Sequence, residues 1–162
     1  NVLDIGAGTG ALAAWFALRG HMVVAVEPVR EFREASRLSH PDKNISFIDD
    51  SLPELSSIFL RQERFDLITL NAVWMHLDRK RREIAMGNIS SLLRQGGRLF
   101  ISLRHGKVPE GRQMFQVSAR ETIALASRNG LMKIHHSQNE SIQAENRKNG
   151  IVWTKLLFES PT

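Results

Sequence analysis

Short apolar runs alternate with longer segments of helical period along the whole chain. "NVLDI" runs straight into glycines, so it predicts a buried strand ending in a turn. "ALAAWFALRG" is apolar nearly all round and predicts a buried helix closed by Gly20. "HMVVAVEP" predicts a second strand, stopped at Pro28. From Val29 a helix follows, with Val29, Phe32 and Ala35 at spacing three on its predicted inner face. "ISFIDD" is the third strand, and Pro53 suits the first turn of the next helix, with Asp50 or Ser51 as its cap. "FDLITLN" is the fourth strand. A helix over Arg79 to Gln95 aligns Ala85, Ile89, Leu92 and Leu93; "QGG" ends it and "RLFISL" is the fifth strand.

A long loop, "RHGKVPEGRQMFQV", separates that strand from a capping box at Ser118 to Glu121, which starts a helix ending at Gly130. "LMKIHHS" and "IVWTKLLF" predict two last strands. The polar stretch between them, "QNESIQAENRKNG", holds no apolar stripe, so they form an antiparallel pair. Strand and helix alternate, which predicts an α/β protein with a parallel sheet covered by helices. No repeat or linker interrupts residues 1–162, which read as a single domain.

Composition narrows the chemistry. The chain has no cysteine, which removes disulfides, thiolate metal sites and a cysteine nucleophile together. It fits a reducing compartment, so a cytoplasmic location is expected. No stretch approaches the ~20 apolar residues of a membrane span, and no signal peptide is visible. No His, Asp and Glu cluster has metal-ligand spacing. The formal net charge of +5 leans mildly towards anionic partners.

In an open parallel sheet, ligands sit beyond the carboxyl ends of the strands. After the first strand come Gly6, Ala7, Gly8, Thr9 and Gly10, a loop that lets backbone approach a ligand closely. After the second comes Glu27, placed to accept both hydroxyls of a ribose. After the third come Asp49 and Asp50; one can accept from the exocyclic amine of an adenine, and one can cap the next helix. After the fourth, Asn71 offers its carbonyl and amide, Trp74 either walls a pocket or packs in the core, and His76 is a candidate general base. After the fifth, Arg104 and His105 open a loop that also carries Lys107 and Arg112, a candidate site for a substrate carboxylate or phosphate.

Taken together, these blocks resemble the class I methyltransferases that use S-adenosylmethionine. "VLDIGAGTG", the acid in "VAVEP", "FIDDSLPEL", "FDLITLNAVWMHL" and "LLRQGGRLFISL" are similar to that family's successive motifs, and the terminal hairpin to its sixth and seventh strands. The resemblance implies a three-layer sandwich with a seven-stranded, mostly parallel sheet, order 3-2-1-4-5-7-6 and strand seven antiparallel. It implies that Asp4 orients the glycine loop near the amino end of the cofactor's methionine portion. It also implies that Gly6, Gly8 and Gly10 pass under the cofactor and that Asn71 contacts the methionine amino group. Family members carry a helix and leader before the first strand. Asn1 already stands at that strand, so an N-terminally truncated domain is expected.

The expected activity is methyl transfer to a small-molecule acceptor by in-line displacement, with S-adenosylhomocysteine as co-product. His76 or His105 would take a proton, and Trp74 and Arg104 would bind the acceptor. An RNA acceptor, and a module that binds the cofactor without turnover, stay open. So does a nicotinamide oxidoreductase, because Gly6 to Ala11 also fits G-x-G-x-x-A. Nothing in the sequence fixes an oligomeric state.

Overall fold

The computed structural model describes all residues from Asn1 to Thr162. Seven strands form one sheet: β1 Val2–Ile5, β2 Val23–Val26, β3 Ile45–Ile48, β4 Phe65–Leu70, β5 Leu93–His105, β6 Met132–Glu140 and β7 Val152–Glu159. Their order is β3-β2-β1-β4-β5-β7-β6, and only β7 runs against the rest, as the resemblance implied. β1 and β2 are buried along their whole length, which is why they read as unbroken apolar runs.

Helices α1 (Ala11–Ala17) and α2 (Arg30–Ser39) lie on one face. On the other lie α3 (Ser56–Leu60), α4 (Arg79–Leu92) and α5 (Ala119–Arg128). The core is lopsided. The α4–α5 face joins 27 buried residues, among them Leu3, Ile5, Ile68, Met86, Ile89 and Phe158, whereas the α1 face joins eight, mostly alanines and valines. Beside α1, a groove of about 710 Å³ runs from Leu12 to the segment 139–146, floored by Phe100, Ser102 and Trp153.

Four expectations about elements change. Helix α1 is not buried all round: Ala13, Ala14 and Ala17 face the sheet, while Leu18 is 81% exposed and the half-exposed Trp15 carries the Arg19 guanidinium 3.7 Å over its ring. The stripe Val29, Phe32 and Ala35 on α2 faces outward, and the buried side holds Arg33 and Ser36. Pro53 follows a cis bond in a turn, and α3 starts three residues later at Ser56. Helix α4 stops at Leu92, and "RQGG" continues as the irregular start of β5. The segment between β6 and β7 also contains a short helix, α6 (Ala144–Lys148), which buries no residue. Half of the capping box forms: the Glu121 amide donates to Ser118 Oγ at 3.1 Å, while the Glu121 carboxylate turns to Arg82 instead of the Ser118 amide.

Candidate functional site

The strand order reverses between β1 and β4, and a crevice opens there at the strands' carboxyl ends. It is a cavity of about 560 Å³. Its lining gathers Gly6 from the end of β1, Glu27 after β2, Asp50 after β3 and His76 after β4. Residues separated by up to 70 positions meet because each parallel strand delivers its last residue to the same edge.

The glycine loop owes its path to three left-handed residues. Gly6, Gly8 and Gly10 have φ of +73°, +55° and +77°, values that L side chains resist. A Cβ on Gly6 would collide with the Val73 side chain, and one on Gly10 would crowd Ser36 and Phe47. A Cβ on Gly8 would meet nothing within 4 Å, so the loop's middle faces open space.

Glu27 is 7% exposed and clips this loop. Its Oε2 accepts from the Gly8 amide and its Oε1 from the Val29 amide, each at 2.9 Å. The Ser36 hydroxyl, shared with the Phe32 carbonyl of its own helix, reaches the Gly8 carbonyl at 3.0 Å. Arg33 donates to the carbonyls of Glu27 and Pro28 and to Asp49 Oδ2, at 2.6–2.8 Å. The buried side of α2 is therefore polar for a reason: it ties the ends of β2 and β3 and the glycine loop together. Val29 and Phe32 are left to line the mouth of the cavity.

The two aspartates now separate. Asp49 is paired to Arg33 at 2.6 Å and is absent from the cavity wall. Asp50 lines the cavity, and its carboxylate accepts from the amides of Ser51 and Ile58 at 2.8 and 3.0 Å. The second of these bonds caps the first turn of α3.

Asp4 is 2% exposed. Thr69 Oγ1 donates to its Oδ1 at 2.7 Å, while Oδ2 has no partner. Burial, reinforced by the nearby charge of Glu27, pushes its carboxyl up to about 6 against the opposing bond from Thr69. A buried carboxylate oxygen without a donor is costly, and a hydrogen-bond donor, charged or neutral, would satisfy it.

Asn71 lines the α1-side groove, and Ala72 borders both groove and cavity. Ala72 sits at φ +61°, and its amide donates to Ser102 Oγ at 2.8 Å. The Ser102 hydroxyl donates in turn to Asn71 Oδ1 at 2.8 Å. Ser102, 2% exposed between Ile101 and Leu103, thus fixes the turn after β4. The reading of single motifs missed it, as it missed Thr69, Ser36 and Arg33. In Ser102 and Thr69 the available signal was a hydroxyl inside a buried strand.

Trp74 is fully buried in the main core and walls no cavity. It begins the 3₁₀ turn Trp74–His76, and its buried Nε1 has no hydrogen-bond partner. His76 does line the cavity, and its Nδ1 lies 2.8 Å from the Gln113 carbonyl. Arg104 and His105 are elsewhere. They line a second cavity of about 730 Å³ with Phe115, Ser118 and Glu121. Arg104 donates to the Lys107 carbonyl at 2.8 Å. His105 Nε2 lies 2.9 Å from Thr154 Oγ1, and burial lowers its pKa below the usual histidine value.

Sheet order, glycine loop and Glu27 together define the class I methyltransferase architecture. By sequence, residues 3–101 match the methyltransferase-domain family, and the chain belongs to it. An uncharacterized methyltransferase of Bacillus mycoides is 32% identical over 99 residues, a match that covers 61% of this chain and 44% of the relative. The chain thus matches less than half the length of that curated relative. Among solved structures, the N-methyltransferase NodS from Bradyrhizobium japonicum in complex with S-adenosylhomocysteine has a TM-score of 0.78 and 19% identity, covering 100% of this chain and 78% of that one. The 1,6-didemethyltoxoflavin N1-methyltransferase of Burkholderia thailandensis also has a TM-score of 0.78, with 22% identity over 99% of this chain and 71% of that one.

Proposed function

We propose that the domain binds S-adenosylmethionine in the β1–β4 crevice and transfers its methyl group to a small-molecule acceptor. The observation that carries this reading is the meeting of Gly6, Glu27, Asp50 and His76 around one cavity of about 560 Å³, within the range of small-molecule sites. Two features fit the group: the open space at Gly8 and the unpartnered Oδ2 of Asp4. The cofactor, when bound, supplies an already activated methyl group, so the protein contributes alignment, desolvation and a proton acceptor.

Each residue then has a task. Glu27 holds the ribose hydroxyls, and Gly6, Ala7, Gly8 and Gly10 give backbone approach. Asp50, on the cavity wall, is the aspartate for the adenine amine. Asp4, on β1, and the Asn71 carbonyl, on the α1-side groove, are assigned to the amino group of the methionine portion. Val29 and Phe32 give the cavity an apolar rim against a planar base. His76 takes the proton of a hydroxyl or ammonium acceptor. The toxoflavin enzyme, which binds 1,6-didemethyltoxoflavin together with S-adenosylhomocysteine, supports a small molecule as acceptor. Arg104 and His105, offered by the sequence as acceptor contact and second proton acceptor, line the second cavity apart from the crevice and carry no step in this reading.

Calorimetry with S-adenosylhomocysteine tests the reading. Glu27→Ala is expected to weaken binding by about 1.5–3 kcal/mol, as for hydrogen bonds to a charged group. Equal affinity in both proteins would remove Glu27 from the site, and no binding by the wild type would refute the reading altogether.

A further inference from the structure

The loop after β5 is not a free lid. Residues 112–118 form a strap that divides the two cavities: Arg112 and Gln113 line the one, Met114 to Ser118 the other. Two bonds pin it to the turn after β4 and a third to α4. The Phe115 amide donates to the Met75 carbonyl at 2.8 Å, His76 Nδ1 meets the Gln113 carbonyl at 2.8 Å, and Arg82 Nη2 reaches the Gln116 carbonyl at 3.3 Å.

A carbonyl oxygen only accepts, so Nδ1 of His76 carries the hydrogen. In the neutral ring the lone pair is then on Nε2. The strap thus selects the tautomer in which Nε2 is the basic atom.

Arg82 is the residue that holds this arrangement. It is 3% exposed, at the first turn of α4. Its Nη1 donates to the Leu77 carbonyl, one residue after His76, at 2.8 Å. Its Nη2 is shared between the strap and Glu121 Oε1 of α5, the latter at 2.9 Å. One guanidinium therefore couples the histidine's own turn, the strap and α5. Arginine suits this where lysine would not, because its planar fork presents donors in two fixed directions.

We propose that Arg82 is a positioning residue: by fixing the 112–118 strap over the turn after β4, it locks His76 as the Nδ1–H tautomer with Nε2 as proton acceptor. The proposal rests on His76 being the base of the reading above, but its test needs no acceptor. Long-range proton–nitrogen spectra of histidine-labelled protein at pH 8, with His76→Gln for assignment, read the tautomer directly. The wild type should show His76 almost wholly as Nδ1–H. In Arg82→Met the Nε2–H form should rise to about half of the population, with Arg82→Lys between the two. A wild-type His76 in the Nε2–H form overturns the proposal, and so does an unchanged tautomer in Arg82→Met.

Should Arg82→Met fail to fold, Arg82→Gln removes the guanidinium and its reach to the Gln116 carbonyl while keeping a polar side chain. A mixed tautomer there supports the proposal, and a wild-type signal overturns it. The two readings fail separately. Loss of S-adenosylhomocysteine binding in the wild type strikes the assigned function, whereas a wrong tautomer in a protein that binds it strikes only the strap.

Discussion

Asp4 lies under two opposed demands. The folded chain keeps it out of water, while the ligand assigned to the crevice asks for its charge. Its ordinary value of 3.8 rises to about 6 on folding, so between those values the folded state holds a proton that the unfolded state has released. The stability from that proton is fully present below pH 3.8 and is lost as pH rises through 6. Above that, a charged Asp4 costs about 3 kcal/mol, two pKa units at 1.36 kcal/mol each. Asp4→Asn is expected to raise Tm at pH 8 and flatten the pH dependence between 4 and 6, because an amide oxygen still accepts from Thr69. The same change should weaken S-adenosylhomocysteine binding at least about tenfold, the loss of one charge-assisted bond. Thermal melts across pH and calorimetry read the two effects, and a lower Tm at pH 8 would contradict the first. The three glycines were legible in the sequence because left-handed backbone demands that type, Glu27 because it ends the second strand, and Asp4 only through the family resemblance. Which of Asp49 and Asp50 lines the cavity was not, because it depends on Arg33, sixteen residues upstream of Asp49 and on another element.

At the scale of elements, α2 shows where pattern and fold part. Its apolar spacing is real, yet the helix buries its polar side. Three carbonyl and carboxylate oxygens at the strand ends need donors, and Arg33 supplies them. An apolar periodicity reports that a helix has two faces; it does not report which face the rest of the chain needs. Arg33→Met should therefore cost about 2–4 kcal/mol in urea unfolding, since it strands the Glu27 and Pro28 carbonyls. Leu38→Gln, at an 84% exposed position of the same helix, should stay within about 0.5 kcal/mol. Equal costs would mean that α2 is held by its apolar residues after all. Helix α5 is the contrasting case. Its start was legible because Ser118 satisfies a first-turn amide locally, and Ser118→Ala should cost about 1 kcal/mol.

For the molecule as a whole, the sheet order came from the family resemblance that the successive blocks carry; alternation of strand and helix alone gives only a parallel sheet covered by helices. What lay beyond reach was the joining of segments far apart in sequence. Nothing in "RHGKVPEGRQMFQV" announces that Phe115 will bond to Met75, forty residues earlier. Those cross-links divide the carboxyl edge into two cavities, and they predict which backbone amides a ligand should quiet. Hydrogen exchange with S-adenosylhomocysteine present should slow at residues 6–10 and 113–116, and should leave the edge strand β6 as before. Slowing at β6 with none at the glycine loop would place the ligand elsewhere.

The three tryptophans turn this layout into something that can be watched with light. Trp15 is half exposed beneath Arg19, Trp74 is fully buried in the turn that carries His76, and Trp153 floors the groove beside α1. With no tyrosine in the chain, nothing else contributes appreciably to its near-ultraviolet emission. Trp15→Phe combined with Trp153→Phe leaves a lone indole in the core, a blue-emitting reporter for the turn between the strap and the crevice. The complementary variant, with only Trp153 retained, reports on the opposite side of the sheet.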